Sequence, residues 1–343
     1  MVDMSDFYPV STPSYEAIPI LCKISPSVRM PGLSFDKTDK SSRPIARVKG
    51  GANDGEILFL NEGAVGGRKP KPTFNRIRYA KELPSLRPME RTKAFARMEE
   101  ALEKGKALDA SDHDEVKACY EKIQSDSKSD KAVELDDDGQ FELLPNPDPA
   151  KREVWYIAGQ SGSGKSYVAK GLASFYHKLF PERGVYLVSK LNEDATLDTL
   201  KFLKRVNIQS FVDDYPDLDE FKDCMVIFDD YDTLTGQAEK VITKIVDDLA
   251  IMGRHTNTTI LCLSHYLTNY KKTRLLLNEA THIVVYPLST SYHALRYLLK
   301  NYVGIDEEDL KKHRKLGSRW LCYSKGFPQY MVSQRNAELL HQQ

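Results

Sequence analysis

The spacing of apolar residues changes character at about residue 139. Beyond it, short unbroken apolar runs alternate with amphipathic stretches. The runs are 154–158 (Val-Trp-Tyr-Ile-Ala), 184–189, 224–228, 259–264 and 282–286. Their length and composition predict strands buried on both faces. Between and after them, 165–180, 194–204, 237–252, 272–279, 291–301 and 306–315 carry apolar positions at helical spacing. In the first of these, Val168, Leu172, Phe175 and Leu179 mark the predicted buried face. Gly253 stands where a C′ glycine would end the helix 237–252. Strands alternating with helices predict an α/β fold with a mostly parallel, doubly wound sheet. Two last strands, 319–324 and 329–333, flank a Lys-Gly-Phe-Pro turn and predict a short closing antiparallel pair.

Residues 1–138 read differently. The segment 1–87 is rich in proline and glycine and has few periodic runs, and Ile57–Leu60 is its one convincing strand. Parts of it are expected to be irregular or extended. Helices are predicted over 90–105 and 113–125, the first with a stripe of Ala94, Met98, Leu102 and Leu108, the second N-capped by Ser111. A polar stretch from Ser125 and the acidic run Asp136 to Asp138 read as a solvated linker. The chain therefore divides into an N-terminal region, 1–138, and a second domain, 139–343.

Composition narrows the picture. A chain of 343 residues with 41% hydrophobic and 29% charged residues can bury a real core under a charged surface. Its 49 basic and 49 acidic residues cancel, so bulk charge does not argue for nucleic acid and any such contact must be local. Five cysteines, Cys22, Cys119, Cys224, Cys262 and Cys322, are widely and irregularly spaced. They read as buried small hydrophobes in a reducing compartment rather than a disulfide frame or zinc site. The first residues lack the charged and apolar regions of a secretory signal, and no apolar run is long enough to span a membrane. The expectation is a protein that is neither secreted nor membrane-inserted.

The candidate chemistry lies at strand ends. Gly159, Gln160, Ser161, Gly162, Ser163, Gly164, Lys165 and Ser166 match G-x-x-x-x-G-K-[ST] between a strand and a helix, the context a P-loop requires. The glycines let backbone amides turn toward phosphate oxygens, and the helix N-terminus adds its positive end. Lys165 would reach the β- and γ-phosphates of ATP, Ser166 would place its hydroxyl on Mg²⁺, and Tyr167 completes the loop contacts. After 224–228 come Asp229 and Asp230. Carboxylates at this end of a parallel strand face the ligand edge. Asp229 is assigned to the metal and Asp230 to the attacking water; the plainer reading is that Asp230 or Asp232 caps the next helix. Arg254, before the strand 259–264, and His265, after it, are unremarkable alone: a surface arginine and a strand-end histidine.

Residues 253–287, GRHTNTTILCLSHYLTNYKKTRLLLNEATHIVVYP, resemble the matching segment of the genome-packaging ATPases of large DNA viruses, the poxvirus-type family. More distantly they resemble the bacterial FtsK–HerA pumps. Arg254, His265 and Asn278 fall where those pumps carry a glycine-arginine pair, a strand-end polar residue and an asparagine. Ser318, Arg319 and Trp320, followed by Phe327 to Tyr330, are similar to the viral tail. The resemblance covers about 150–335. It implies an ASCE, RecA-like P-loop NTPase in which the fourth strand lies between the first and third. His265 would then be a phosphate sensor, and Arg254 would reach a neighbouring subunit's γ-phosphate. Two residues depart from the pumps: Asp230 stands for the usual Glu and His265 for the usual Gln.

What the family implies is ATP-driven, sequence-independent translocation of double-stranded DNA by a homo-oligomeric ring, with capsid or portal components as further partners. The setting would be the host-cell cytoplasm, a viral factory or the virion. Lys271, Lys272 and Arg274, or Lys201, Lys204 and Arg205, are candidates to meet DNA phosphates. The alternatives are a P-loop kinase of a small metabolite and an ATP-binding assembly factor that does not translocate.

Overall fold

The structure, a computed structural model, describes residues 31–37, 42–62, 74, 76–104, 106–108, 113–126, 131–135 and 138–340. Ser111, Cys22, Asp136 and Asp137 lie outside them. In chain order the strands are β1 (Gly32–Ser34), β2 (Arg43–Lys49), β3 (Ile57–Asn61), β4 (Ala132–Glu134), β5 (Gln140–Leu143), β6 (Val154–Ala158), β7 (Val185–Ser189), β8 (Leu203–Val206), β9 (Met225–Asp229), β10 (Thr259–Ser264), β11 (His282–Val285), β12 (Leu321–Ser324), β13 (Tyr330–Ser333) and β14 (Asn336–Leu339). The helices are α1 (Arg76–Tyr79), α2 (Pro88–Lys104), α3 (Asp114–Asp126), α4 (Lys165–Leu179), α5 (Ile208–Asp213), α6 (Gly236–Met252), α7 (Arg274–Glu279), α8 (Tyr292–Leu298) and α9 (Glu307–Lys315).

Ten strands form one sheet in the order β4-β14-β13-β12-β11-β6-β10-β9-β7-β8. The stretch from β11 to β8 is parallel, and β12, β13, β14 and β4 continue it antiparallel. The fold is α/β with a large, mostly parallel sheet, as the alternating pattern predicts. All five residues of β6 are buried because both faces are covered. Val154, Tyr156 and Ala158 point into a core shared with α6 to α9, whereas Trp155 and Ile157 point into one shared with α4 and the N-terminal strands. This is the two-residue alternation of a strand serving two layers.

A second, antiparallel sheet, β1-β3-β2-β5, packs on the α4 side of the large sheet. Only β3 among its members is legible from periodicity. β4 comes before residue 139 in the chain and still joins the large sheet, on β14. The predicted helices near 90–105 and 113–125 form as α2 and α3. They make a separate small core with Ala94, Met98, Cys119 and Ile123 buried, against which Leu102 and Leu108 pack.

Four local expectations are corrected. Residues 194–204 are not a helix but a 3-10 turn, Leu197–Thr199, followed by edge strand β8. The Asp194 carboxylate accepts from the amides of Thr196 and Leu197, each at 2.7 Å, and so competes with helical bonding. The buried face of α4 is Ala169, Leu172, Ala173 and Tyr176; Leu179 is 43% exposed. Gly253 follows α6 but is right-handed, φ −58°. It must be glycine for space: a Cβ there would lie 2.4 Å from the Leu249 carbonyl oxygen and 2.7 Å from Arg152 Nη1. The closing pair is a three-strand meander, β12-β13-β14. Cys119, Cys224, Cys262 and Cys322 are free and buried, as expected of small core residues.

Candidate nucleotide site

The strand order brings the separated motifs together. β10 lies between β6, which feeds the P-loop, and β9, which ends in Asp229. The residue after β10 therefore emerges between the loop and the acidic pair. His265 Nε2 lies 2.7 Å from Asp230 Oδ1. The Gly159 amide donates to the Ser264 carbonyl at 3.0 Å and ties the start of the loop to the end of β10.

Gly164 is the N-cap of α4 at φ 113°, a conformation closed to side-chain-bearing residues. Lys165 Nζ folds back onto the Gly159 carbonyl at 2.8 Å and the Gln160 carbonyl at 3.3 Å. Burial pushes the Lys165 ammonium pKa down, and the charges of Asp230, Asp229 and Asp232 act against that. Ser166 Oγ lies 3.5 Å from Asp194 Oδ2. A cleft of about 420 Å³ is lined by Ser161, Gly162, Gly164, Lys165, Ser166, Tyr167, Asp229, Asp230 and His265, among others.

The acidic pair is split by its surroundings. Asp229 is buried and receives a hydrogen bond from Ser189 Oγ at 3.4 Å. Burial first, then the charges of Asp230 and Asp194, push its pKa up to about 6. A carboxylate held this way is short of positive charge. Among the described residues no group of three or more His, Cys, Asp or Glu side chains could hold a metal alone. Ser166 and Asp229 nevertheless fit Mg²⁺, an ion that keeps several waters and takes the rest of its shell from substrate phosphates. Asp230 is left-handed, φ 50°, which costs a residue with a Cβ about 1–2 kcal/mol. Its side chain caps nothing; it faces His265.

Sequence reasoning missed three groups. Asp232, taken only as a possible cap, is buried and accepts from Ser264 Oγ at 2.7 Å and the His265 amide at 2.8 Å, fixing the end of β10. Asp194 lines the cleft beside Ser166 from a stretch misread as helix. Arg319, singled out only within the tail that resembles the viral proteins, donates through Nε to the Ser163 carbonyl at 2.8 Å and through Nη2 to the Gly162 carbonyl at 3.2 Å. A Gly-Ser-Arg-Trp sequence after a helix carries no signal of contact with a loop about 160 positions earlier.

Arg254 is not in this cleft. It follows α6 and precedes β10, so it sits on the opposite edge of the parallel sheet, exposed, with its charge felt by Arg152. Asn278 is exposed on α7, and its carbonyl accepts from Lys325 Nζ at 2.9 Å. Lys272 pairs with Glu239 at 2.5 Å and Arg274 stacks on Tyr270, while Arg205 pairs with Asp198 at 2.6 Å. Lys201, Lys204 and Lys271 are exposed.

A glycine-rich strand–loop–helix turn, facing a strand-end acidic pair across an inserted strand, defines a P-loop NTPase fold. A protein of the Sputnik virophage, named as uncharacterized protein V3, is 34% identical over 227 residues, which make up 65% of this chain and 90% of that protein. The chain belongs to the family of this virophage protein. No protein-family model matches it. Similar solved structures include the genome packaging NTPase B204 from Sulfolobus turreted icosahedral virus 2, with 15% identity, 53% of this chain, 94% of that one and TM-score 0.35. Others are the cytoplasmic domain of the Thermomonospora curvata Type VII secretion ATPase EccC, with 15% identity, 60% and 28% coverage and TM-score 0.41, and the pCW3 conjugation coupling protein TcpA with ATPγS, with 14% identity, 85% and 77% coverage and TM-score 0.37. No helix among the described residues is long and apolar enough to cross a membrane.

Proposed function

We propose that this chain hydrolyses ATP and uses the energy to move double-stranded DNA into a viral capsid. The observation that carries the reading is the 2.7 Å contact between His265 and Asp230 at the mouth of the P-loop cleft. A base for water beside a group that can register the γ-phosphate is the equipment of a hydrolase. A kinase has to exclude water from the same place.

In this reading the loop amides and Lys165 hold the phosphates. Mg²⁺, held by the nucleotide, the Ser166 hydroxyl and Asp229, would neutralise charge developing on the transferred phosphoryl group. Asp230 orients and deprotonates the attacking water, and His265 holds its carboxylate in place. Asp232 fixes the His265 backbone, so the sensor is set by a buried hydrogen bond and not by a free loop. The subunits form a closed head-to-tail ring. Arg254, exposed on the edge of the sheet away from its own cleft, completes a neighbour's site in this reading; its permanent charge and planar fork suit phosphate oxygens. DNA is held by phosphate contacts from the loop around Lys271 and Arg274, without reading bases.

The test is the rate of phosphate release with and without double-stranded DNA, together with the oligomer mass. Stimulation that fades as salt rises is expected, because phosphate contacts release counterions. Phosphate transferred to a small acceptor, or a monomer indifferent to DNA, would overturn the reading.

A further inference from the structure

A second cavity, of about 260 Å³, lies on the far side of the P-loop from the acidic pair. Gly164, Tyr167 and Arg319 line both this cavity and the phosphate cleft. The Arg319 guanidinium, bonded to the Ser163 and Gly162 carbonyls, is the partition between them. Three parts of the chain build its walls. Tyr286 comes from the end of β11, Trp320 precedes the C-terminal meander and Gln334 lies in its β13–β14 turn, and Lys49 and Phe141 come from the N-terminal sheet.

Aromatic and polar side chains share the wall of this cavity: Phe141, Tyr167, Tyr286 and Trp320 with Lys49 and Gln334. Tyr286 is 2% exposed, and its hydroxyl and Ser163 Oγ are buried without hydrogen-bond partners behind the wall, not open to the cavity. Burial pushes the Tyr286 phenol up, so it stays a donor. Lys49 Nζ bonds Tyr167 Oη at 3.1 Å and Glu142 at 3.0 Å, which joins the N-terminal sheet to the first turn of α4.

In the reading above the terminal phosphate of a nucleotide faces Asp229 and Asp230, and its other end leaves the loop past Gly164 and Tyr167, which line both cavities. We infer that the cavity bounded by Tyr286, Trp320 and Lys49 receives the nucleobase of the bound nucleotide, with the N-terminal sheet supplying one wall. This rests on the P-loop reading above and assigns Lys49 and residues 140–142 a part in nucleotide binding.

The chain has two tryptophans, and Trp155 is stacked under His282 in the core at 4.0 Å, so Trp320 is the one that reports on the cavity. The full chain is titrated with ATP, with ADP and with inorganic tripolyphosphate, following tryptophan emission and, independently, heat of binding. The expected result is that all three bind, that only the two nucleotides change the emission, and that ATP binds at least about 10-fold more tightly than tripolyphosphate. Trp320→Leu, which removes an aromatic face from the wall, should weaken ATP about 5-fold by heat of binding and leave tripolyphosphate unchanged. Lys49→Ala, at an exposed position, should act in the same direction. If tripolyphosphate matches ATP in affinity and neither variant separates them, the base pocket is wrong and the P-loop reading stands. If no ligand binds, the P-loop reading itself fails and takes this inference with it.

Discussion

The two edges of the parallel sheet are built from the same strands and solve opposite problems. At the edge where the strands begin, polar groups are matched. Arg152 donates to the Leu249 and Ala250 carbonyls at 2.5 and 2.7 Å, taking up the end of α6. Asn257 donates to Pro149 and Asp223, both at 2.7 Å, and Thr258 donates to Phe221. Two residues there, Asp223 and Asn257, have positive φ, and their side chains bond each other. At the edge where the strands end, the carboxylates of Asp229, Asp230 and Asp232 crowd around the Lys165 ammonium. Burial and neighbouring carboxylates push the Asp229 pKa up to about 6, Asp232 Oδ1 and Ser163 Oγ are buried without partners, and Asp230 carries its left-handed backbone beside His265. One edge stores stability in completed hydrogen bonds, and the other holds groups that a ligand must complete.

The largest test of that contrast is at the ligand edge. Lys165→Ala should abolish turnover, by at least about 100-fold, because no other cation reaches the phosphates from within the loop. The acidic pair should then divide. Asp230→Asn should keep Mg-ATP binding and slow phosphate release at least about 100-fold, because the carboxamide cannot take a proton from water. Asp229→Asn should instead weaken magnesium-dependent binding. Titrating each variant with ATP with and without magnesium, alongside single-turnover rates, separates them. Interchanged phenotypes would reverse the two roles.

A smaller effect is expected from the one candidate on the other edge. Arg254→Ala should bind ATP normally and hydrolyse it about 10-fold or more slowly, since a trans arginine acts on the transition state alone. The wild-type rate per subunit should rise with protein concentration. A stable monomer hydrolysing at the full rate, matched by Arg254→Ala, would break the shared-site mechanism.

These sites differ in how far the chain itself declares them. Unbroken apolar runs betray strands buried on both faces, and a P-loop is local in sequence, so β6, β9, β10 and the residues 159–167 and 229–230 can be read directly. The placement of β10 between β6 and β9 followed only from family resemblance, because strand order is set by which faces the helices cover and leaves no trace in spacing. Asp194 was lost inside a run whose apolar spacing, Leu197, Leu200 and Leu203, mimics a helix until a side chain takes the amides. Arg319 and the N-terminal sheet were illegible for a different reason: their contacts with the P-loop span more than a hundred positions. β1, β2 and β5 are short strands in proline- and glycine-rich sequence, where half-buried alternation is too brief to count.

The smallest effect should come from Arg152, and it tests whether the two edges are independent. Its guanidinium is half-buried, and burial lowers its pKa, with Glu279 acting against that and Arg254 adding to it. Arg152→Ala removes two hydrogen bonds to the last turn of α6 and leaves those carbonyls poorly solvated, a loss of about 2 kcal/mol against unfolding. Part of that is returned because a like charge beside Arg254 disappears. Denaturant unfolding should report the loss, while ATP affinity, set at the far edge, stays within about 2-fold. The variant also sharpens the reading of Arg254. Arg152 lies next to it and packs the same helix end, so any general distortion of that edge should appear here too. If Arg152→Ala slows hydrolysis as much as Arg254→Ala does, the slow turnover reflects a damaged helix terminus and not the loss of a guanidinium from a neighbour's site.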